Sequence, residues 1–343
     1  MIKSAIVGAT GYTGSELVSI LLRHPEVEIS LITSNSRAGE KFSDIHPQFL
    51  GFCDLELQKA DVIDDYDIDV CILALPHRVS MDFVKKWKDK PFKIIDLSGD
   101  FRLSNAKTYE AWYNKEHVIP EMVPTVPYGL PEINRENIKG AKVVANPGCY
   151  PTTSILGLAP LFQAGKVEKD SIVIDAKSGT TGAGVKASAT THFSNVNDNF
   201  KAYGLKTHRH TVEIEENLGS LNGGEVMVQF TPHLLPVDRG ILATSYARPT
   251  GKMTNKELMD LYKNYYKDEP YVRVRESAPE LKFVRGTNMC DIYPTYDERT
   301  NRIIVLSVID NLIKGAAGQA VQNMNIMLGL KETLGLEVSP IKP

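Results

Sequence analysis

The sequence has few cysteines, no long apolar run and no large excess of either charge. Only 4 of its 343 residues are cysteine, too few for a disulfide framework, and they lack the paired spacing of metal ligands. No apolar run approaches the roughly 20 residues of a membrane helix, and no signal segment opens the chain. The formal net charge of −3 comes without a long basic run. We therefore predict a cytoplasmic protein with free thiols that binds no metal, membrane or nucleic acid.

The sequence does contain the pattern of a two-domain α/β protein. Its length suits two domains, and 42% of its residues are hydrophobic. Buried-strand patterns alternate with helical stretches over the first 145 or so residues, at 4–7, 27–33, 70–75, 93–97 and 142–146. This alternation predicts a Rossmann-like doubly wound parallel sheet over residues 1–148. The β-rich segments after Ile172 predict an α+β domain with a mixed sheet over 149–311. A C-terminal helix, about 312–343, should return to the first domain.

A glycine turn follows the first strand and opens a helix. Its spacing is G-x-x-G-x-x-G, which departs from the usual dinucleotide fingerprint G-x-G-x-x-G. Glycine still permits close backbone approach, and a helix N-terminus presents free N–H groups to a pyrophosphate. The alternative is a plain turn, but its place between strand and helix favours a cofactor. The candidate contacts are Gly8, Thr10, Gly11, Tyr12, Thr13 and Gly14.

The end of the second strand lacks the carboxylate that NAD enzymes use to bind the ribose hydroxyls. Residues 34–37 instead offer hydroxyl groups and a guanidinium, with Ser36 and Arg37 as the candidate contacts. This composition suits the 2′-phosphate of NADP, although a solvated loop that happens to contain Arg37 is the alternative. We predict NADP (NADPH) as the cofactor.

Cys149 is the most promising of the four thiols. It follows a strand and the pair Pro147-Gly148, and it precedes an apolar run at 155–161. If that run is helical, the thiol lies near a helix N-terminus, which favours the thiolate. Cys71 lies inside an apolar strand pattern and is typical of core. From the local sequence alone, Cys149 could be a nucleophile or a structural residue.

Three basic residues could serve this thiol. His208 and His210 would share one face of a strand and could supply an acid/base, although a solvated turn or a metal site are alternatives. No nearby carboxylate or second cysteine completes a metal shell, so the metal site ranks last. Arg102 follows a strand end, where α/β enzymes place ligand contacts. It could bind an anionic group or form a surface salt bridge with Asp100.

With these residues assembled, the chain resembles the N-acetyl-gamma-glutamyl-phosphate reductases of arginine biosynthesis nearly end to end. The segments around the cysteine and the histidine pair are specific to that family. The motifs that carry the resemblance are GATGYTGSEL at 8–17, DLSGDFRL at 96–103, VPYGLPEINRE at 126–136, NPGCYPT at 146–152, SGTTGAG at 178–184, HRHTVEI at 208–214 and NLIKGAAGQAVQNMN at 311–325.

The resemblance implies a role for each candidate residue. Cys149 matches the family nucleophile, and His210 matches its acid/base. His208 and Arg102 fall where substrate contacts are expected. The nicotinamide end of the cofactor is expected at Gly182, Gly184 and Asn311. The family's fold further implies that 149–311 is a substrate and dimerisation domain, in a homodimer or homotetramer.

The implied reaction is the NADPH-dependent reduction of N-acetyl-L-glutamyl 5-phosphate to the 5-semialdehyde and phosphate through a thioester on Cys149. Two alternatives follow from the same residues. One is an acyl-phosphate reductase of the aspartate-semialdehyde type, with the same chemistry on another substrate. The other is a non-catalytic NADPH-binding regulator that kept the dinucleotide domain.

Overall fold

The computed structural model describes residues 1–341 and divides into two compact units. The first unit comprises Met1–Gly148 and Ala316–Glu337, and the second comprises Cys149–Gly315 and, within the described residues, 338–341. The helix expected over about 312–343 is shorter, at Gly318–Met327, and the last two residues of the expected range lie outside the described residues.

The first unit is a parallel sheet with helices between its strands. In chain order its elements are β1 (Ile2–Val7), α1 (Tyr12–Leu21), β2 (Val27–Thr33), α2 (Phe42–Ile45), β3 (Val70–Leu73), α3 (Ser80–Trp87), β4 (Lys93–Asp96), α4 (Ala106–Tyr113), α5 (Pro131–Ile138), β5 (Val143–Ala145) and, after the second unit, α10 (Gly318–Met327). The five strands are all parallel, in the order β2-β1-β3-β4-β5. The predicted doubly wound parallel sheet is confirmed.

The strand order of this sheet indicates the edge at which a ligand would bind. The chain leaves β1 for β2 on one side and reaches β3 on the other, so the order reverses between β1 and β3. Ligands of open α/β sheets bind beyond the carboxyl ends of the strands at such a reversal. The glycine turn that follows β1 lies at this position.

The second unit is built on a mixed sheet, as predicted. Its elements are α6 (Cys149–Gln163), β6 (Ile172–Ser178), α7 (Phe193–Val196), β7 (Lys201–Ala202), α8 (His210–Asn222), β8 (Val228–Leu234), β9 (Ile241–Ala247), α9 (Asn255–Tyr265), β10 (Val272–Val274), β11 (Cys290–Asp297) and β12 (Arg302–Ile309). The seven strands are ordered β10-β11-β12-β9-β6-β8-β7. Parallel pairs, such as β6 with β8, occur beside antiparallel pairs, such as β9 with β12.

Helix α6 is the central helix of this unit and is buried on almost every side. It packs on one face of the sheet, and Gly157 brings it close to β12, because a Cβ there would lie 3.0 Å from Ser307 Oγ. Ser307 Oγ also donates a hydrogen bond to the carbonyl of Thr153, at 2.7 Å. Tyr262 Oη donates to the carbonyl of Gly157, at 2.6 Å. These contacts hold the helix, and its first residue Cys149, in a fixed position.

The opposite face of this sheet is only half-buried within the chain. Alternate residues of the strands point to each face, and the strands of this sheet alternate between buried and part-exposed positions. Several of the part-exposed side chains are apolar, including Leu242 on β9 and Ile304 and Leu306 on β12. A sheet face of this kind is suited to a partner surface.

Candidate active site

Packing requires glycine at two of the three positions in the turn after β1. Gly8 has a φ of 90°, and a Cβ there would lie 2.5 Å from the carbonyl oxygen of Ala74. A Cβ on Gly14 would lie 2.4 Å from the carbonyl oxygen of Gly8. Gly11 is the N-cap residue of α1, and no side chain caps the helix there. The turn thus brings bare backbone to a helix N-terminus, an arrangement that suits a pyrophosphate.

The other predicted cofactor contacts lie around this turn. Thr10 and Thr13 are half-buried and Tyr12 is exposed. Thr10 Oγ1 lies 3.4 Å from Ser34 Oγ, a contact that joins the glycine turn to the loop after β2. On that loop, Ser36 and Arg37 are exposed.

The loop after β2 is suited to a phosphate. Arg37 Nε lies 2.8 Å from Glu40 Oε1, and about half of each side chain is exposed. Glu40 therefore orients the guanidinium while leaving it accessible to solvent. A guanidinium with neighbouring hydroxyl groups can bind the 2′-phosphate of NADP, and residues 34–37 contain no carboxylate that would repel it.

Arg102 is buried, with only 6% of its surface exposed, so the surface salt-bridge alternative does not describe it. Its Nε donates to the carbonyl of Asn146 at 2.8 Å, and its Nη2 donates to the carbonyl of Leu97 at 2.6 Å. The guanidinium thus joins the chain at the carboxyl ends of β4 and β5. A guanidinium presents its N–H donors in one plane, and these two bonds fix the orientation of that plane.

Cys149 is the first residue of α6 and the most accessible of the four cysteines. Cys53, Cys71 and Cys290 are buried, whereas Cys149 is partly exposed. Burial raises the pKa of Cys71 and of Cys53, so both remain protonated thiols. The N-terminus of a helix stabilises an anion, so the position of Cys149 favours the thiolate.

The histidine pair does not lie on a strand, and that expectation was wrong. His208 lies in the turn after Gly204, and His210 is the first residue of α8. The backbone N–H of His210 donates to His208 Nδ1 at 3.1 Å, and the two ring centroids are 4.7 Å apart. An extended backbone cannot make this bond between residues two apart. The pair is instead a capped helix start, with His208 Nδ1 accepting one of the free N–H groups of the first turn.

The surroundings of His208 differ from those of an ordinary histidine. Burial and, to a smaller extent, the charge of Arg209 lower the pKa of His208 to about 4. His208 is therefore neutral at physiological pH. Because Nδ1 accepts a hydrogen bond, the proton of the neutral ring is on Nε2.

The residue after Cys149, Tyr150, belongs to an aromatic cluster with the two histidines. The ring of Tyr150 lies edge-on to His208 and to His210, with centroid distances of 5.5 and 5.9 Å. Tyr203 Oη donates to Tyr150 Oη at 3.1 Å, and Tyr150 Oη donates to the carbonyl of His233 at 3.1 Å. Burial is the main cause that raises the pKa of both tyrosines, so their hydroxyl groups stay protonated. The two histidines therefore lie against the ring of the residue that directly follows Cys149 in the chain.

The two tyrosines and Glu213 were not among the site residues predicted from the sequence. Glu213 lies on the first turn of α8, three residues after His210, and is only 1% exposed. Residues three apart on a helix are neighbours on its surface. Once the helix is known to start at His210, the sequence HRHTVE does indicate that a carboxyl lies one turn from this histidine.

The segment predicted to meet the nicotinamide forms a tight turn over Thr180–Ala183. Gly184 has a φ of 80°, and a Cβ on Gly182 would lie 3.1 Å from Ser178 Oγ. The Asn311 side chain fastens this turn, because its Nδ2 donates to Thr181 Oγ1 at 3.0 Å and its Oδ1 accepts the N–H of Gly240 at 2.7 Å. Asn311 thus has a structural bond at each end of its amide.

Within residues 1–341, no group of three or more His, Cys, Asp or Glu side chains is placed to hold a metal ion. In the same range, no helix has the length and apolar character to cross a bilayer.

Comparison with known protein families gives a match in each unit. Residues 3–141 match the semialdehyde dehydrogenase NAD binding domain, and residues 149–311 match the semialdehyde dehydrogenase dimerisation domain. Among solved structures, aspartate semialdehyde dehydrogenase II of Vibrio cholerae, in complex with ASA, has a TM-score of 0.72 at 17% identity, over 96% of this chain and 98% of that one. The Candida albicans aspartate semialdehyde dehydrogenase with NADP has a TM-score of 0.70 at 18% identity, over 95% and 98%. At this identity, the likeness concerns the fold.

Curated relatives are much more similar in sequence. The N-acetyl-gamma-glutamyl-phosphate reductase of Desulforudis audaxviator is 51% identical over 100% of both chains. The enzyme of the same name from Pelotomaculum thermopropionicum is 49% identical over 98% of this chain and 97% of its own length. That from Caldicellulosiruptor saccharolyticus is 51% identical over 98% of each.

Proposed function

Because this chain belongs to the N-acetyl-gamma-glutamyl-phosphate reductase family, we propose that it reduces N-acetyl-L-glutamyl 5-phosphate with NADPH. The products are N-acetyl-L-glutamate 5-semialdehyde and phosphate, in arginine biosynthesis. The observation that carries the proposal is a single partly exposed thiol at a helix N-terminus, followed in the chain by a tyrosine whose ring lies against two histidines. A reducing cytoplasm, which keeps Cys149 a free thiol, is the compartment we propose.

The first step is acyl transfer to Cys149. The thiolate, stabilised by the N-terminus of α6, attacks the carbonyl carbon of the acyl phosphate. A carbon–sulfur bond forms, the bond from that carbon to the phosphate oxygen breaks, and inorganic phosphate leaves with the electron pair. A thioester on Cys149 remains.

The second step reduces the thioester. NADPH, when bound, supplies the hydride that reaches the thioester carbonyl carbon. The resulting thiohemiacetal oxyanion takes a proton from the imidazolium of His210. The neutral ring of His210 takes this proton back from the hydroxyl group as the carbon–sulfur bond breaks, so the aldehyde leaves and Cys149 returns to the thiolate.

The residues present fit NADPH. The glycine turn of Gly8, Gly11 and Gly14 would bind the pyrophosphate, and Ser36 and Arg37 the 2′-phosphate. Gly182, Gly184 and Asn311 remain the proposed contacts of the nicotinamide end. Asn311 Nδ2 keeps one hydrogen after its bond to Thr181, so it can still donate to a carboxamide.

The contacts of the two histidines favour His210 as the acid/base. His208 is neutral near pH 7, and its Nδ1 already accepts the N–H of His210. It can donate from Nε2 to a substrate oxygen, but it has no proton to give up as an imidazolium. Glu213, buried one turn further along α8, is a proposed positioning residue that would hold the charged ring of His210 in place.

Arg102 is the proposed contact of an anionic substrate group. Its two bonds to backbone carbonyls fix the plane of the guanidinium at the carboxyl ends of β4 and β5, where α/β enzymes place ligand contacts, and a guanidinium suits a carboxylate or phosphate. Replacing Arg102 by lysine should therefore raise the KM for the acyl substrate, because an ammonium cannot bind the carbonyls and an anion in the same fork.

We further propose that two chains pair through the half-exposed face of the seven-stranded sheet, in a homodimer or a tetramer made from such dimers. The unit that carries this face matches a dimerisation domain, and its strands present apolar side chains there. Ile304 and Leu306 lie on β12, near the middle of the sheet, where a partner would cover them most fully.

The activity is tested in the reverse direction with purified protein. We expect NADP⁺ reduction by N-acetylglutamate 5-semialdehyde to require inorganic phosphate and to exceed the rate with aspartate semialdehyde. Cys149→Ser should abolish it, because a hydroxyl at this position cannot form the thioester at a useful rate. A phosphate-independent rate, or near-normal turnover by Cys149→Ser, would contradict the covalent route. A preference for aspartate semialdehyde would contradict the substrate.

A further inference from the structure

The turn that follows β12 lies directly against the nucleophile. A Cβ built on Gly315 would lie 2.8 Å from Cys149 Cβ, 3.3 Å from Cys149 Cα and 3.2 Å from Ile309 Cδ1. Carbon atoms that are not bonded pack at about 3.5–4.0 Å. The first two of these atoms cannot turn away, because they belong to the start of a helix rather than to the end of a flexible side chain. Any residue other than glycine at position 315 must therefore move Cys149 or the turn.

The turn is held firmly in this position. Residues Ile313–Ala317 form a π-helical turn, and the N–H of Gly315 donates to the carbonyl of Asp310, five residues back, at 3.0 Å. The buried carboxylate of Asp310 accepts the N–H groups of Leu312 and Ile313, at 2.9 and 3.2 Å, through one oxygen. Single π-helical turns that adjoin an α-helix are frequent at functional sites, and this turn leads directly into α10.

Two further segments tie the turn to the rest of the unit. The other carboxylate oxygen of Asp310 accepts the N–H of Gly286 at 2.8 Å and lies 3.4 Å from Arg239 Nη1. Helix α6 is held by Ser307, two residues before Ile309 on β12. The same strand therefore holds the helix that starts with Cys149 and leads into the turn that contacts it. Neither side can move without disturbing β12.

We propose that Gly315 is a positioning residue for Cys149, an inference that rests on the proposed function of that thiol. The bare backbone of Gly315 occupies one side of Cys149 Cβ and restricts the thiol to the remaining side-chain rotamers. This keeps the sulfur at the N-terminus of α6 and aimed at the acyl carbon. The family resemblance points to neighbouring residues of this segment, but the role of Gly315 follows from the contact itself.

The test is Gly315→Ala, read by two measurements. The first is the pH dependence of Cys149 alkylation by iodoacetamide, without substrate, which is selective because the other three thiols are buried. We expect its midpoint to rise by about half a pH unit or more, since displaced sulfur loses the helix N-terminus. The second is the burst of phosphate release from the acyl phosphate, which we expect to slow by about tenfold or more.

Two further variants separate positioning from simple destabilisation. Gly251→Ala is the matched control, because nothing lies within 4 Å of a Cβ there, and it should behave as the wild type. Gly315→Ala with Ile309→Val removes the contact with Ile309 Cδ1 but keeps the one with Cys149. It should regain thermal stability without regaining the alkylation midpoint or the burst rate.

The possible results distinguish a positioning role of Gly315 from a merely structural one. Wild-type alkylation and burst rates in folded Gly315→Ala, or full recovery of both by Ile309→Val, would overturn the positioning role. If Gly315→Ala yields no folded protein, Asp310→Asn loosens the turn without adding an atom against Cys149. It should still shift the alkylation midpoint, and an unshifted midpoint would overturn the inference. Alkylation needs no substrate, so a wild-type protein without a phosphate burst would refute the proposed function and leave this test intact.

Discussion

At the scale of single residues, the two histidines illustrate how burial and hydrogen bonding assign different roles to the same side chain. His208 lies in the aromatic cluster with a pKa of about 4 and a bonded Nδ1, whereas His210 starts a helix three residues before a buried carboxyl. A neutral ring can orient a substrate, and only a ring that charges near neutral pH can donate a proton to an oxyanion.

The two histidines should therefore differ in their effect on the pH profile. We expect His210→Asn to lower kcat by about 10²–10⁴-fold and to remove one limb of the pH profile of kcat/KM. His208→Asn should raise KM more than it lowers kcat and should leave the profile unchanged between pH 6 and 9, because His208 does not titrate there. The asparagine can still accept the N–H of His210. An inactive His208→Asn beside an active His210→Asn would show that the roles are reversed.

The buried carboxyl of Asp96 leads to a prediction about stability rather than catalysis. Its carboxyl is fully buried at the end of β4, and burial, together with the neighbouring Asp100, raises its pKa from 3.8 to about 6. The folded state binds the proton more tightly than the unfolded state does. This contribution to stability is thus complete below about pH 4 and is lost as the pH rises through about 6.

Replacing the carboxyl of Asp96 by an amide should remove the loss of stability at high pH. We expect Asp96→Asn to raise the free energy of unfolding at pH 8 by at most about 3 kcal/mol and to have little effect at pH 4. Urea denaturation at both pH values measures it. Asp65→Asn, at an exposed carboxylate, is the matched control and should show no such pH-dependent gain. Equal changes at pH 4 and pH 8 would show that the buried charge is not the cause.

At the scale of elements, the glycine turn depends on one contact between a strand end and a helix start. Gly14→Ala would place a Cβ 2.4 Å from the carbonyl oxygen of Gly8 and 2.7 Å from the backbone of Ala9. We expect it to lower the free energy of unfolding by about 1–3 kcal/mol, the cost of overpacking, and to weaken NADPH binding in the folded fraction. Thermal denaturation and NADPH fluorescence measure the two effects.

Gly11→Ala provides the comparison within the same turn. Its Cβ would have no neighbour closer than 3.9 Å, and its backbone is extended, so its stability should match that of the wild type. If both variants were equally stable, the close packing of α1 on the turn would not be the reason for the third glycine.

Elements with a regular apolar pattern could be predicted from the sequence, and elements that depend on local hydrogen bonds could not. The strands at 27–33 and 70–75 were predicted nearly to their observed ends, because buried parallel strands are short apolar runs. Strand β11 was missed, since Asp291 and Pro294 interrupt its apolar pattern. The helix start at His210 was read as a strand because a histidine ring, rather than a standard capping residue, accepts the free N–H.

In the candidate site, too, some residues could be predicted from the sequence and others could not. Cys149 could be placed at a helix N-terminus from the apolar run that follows it, and that placement is what the structure shows. The tyrosine cluster, Glu213 and Gly315 could not be found in this way. Their roles arise from contacts between segments far apart in the chain, such as that of Gly315 with Cys149, and no spacing in the sequence records those contacts.

At the scale of the whole molecule, the half-exposed face of the seven-stranded sheet leads to a prediction about assembly. Leu306→Lys should place a charge in the middle of the proposed interface and shift the protein to smaller species in sedimentation velocity, because burying an unpaired charge is costly. Leu50→Lys, on an exposed leucine of the other unit, is the control and should not change the mass. An unchanged mass for Leu306→Lys would place the interface elsewhere.

The contact between Gly315 and Cys149 also has a consequence for the division of the chain into two units. These residues are the last and the first of one continuous stretch of the second unit, so the two ends of that stretch touch. The ends that remain in the first unit also meet, because Asn146 Nδ2 donates to the carbonyl of Ala316 at 3.1 Å. The stretch is therefore an insertion that leaves and re-enters its host at one point. Closing the gap in the host needs a linker of only about one or two residues, which adds little loop entropy and makes separate expression of either piece a practical experiment.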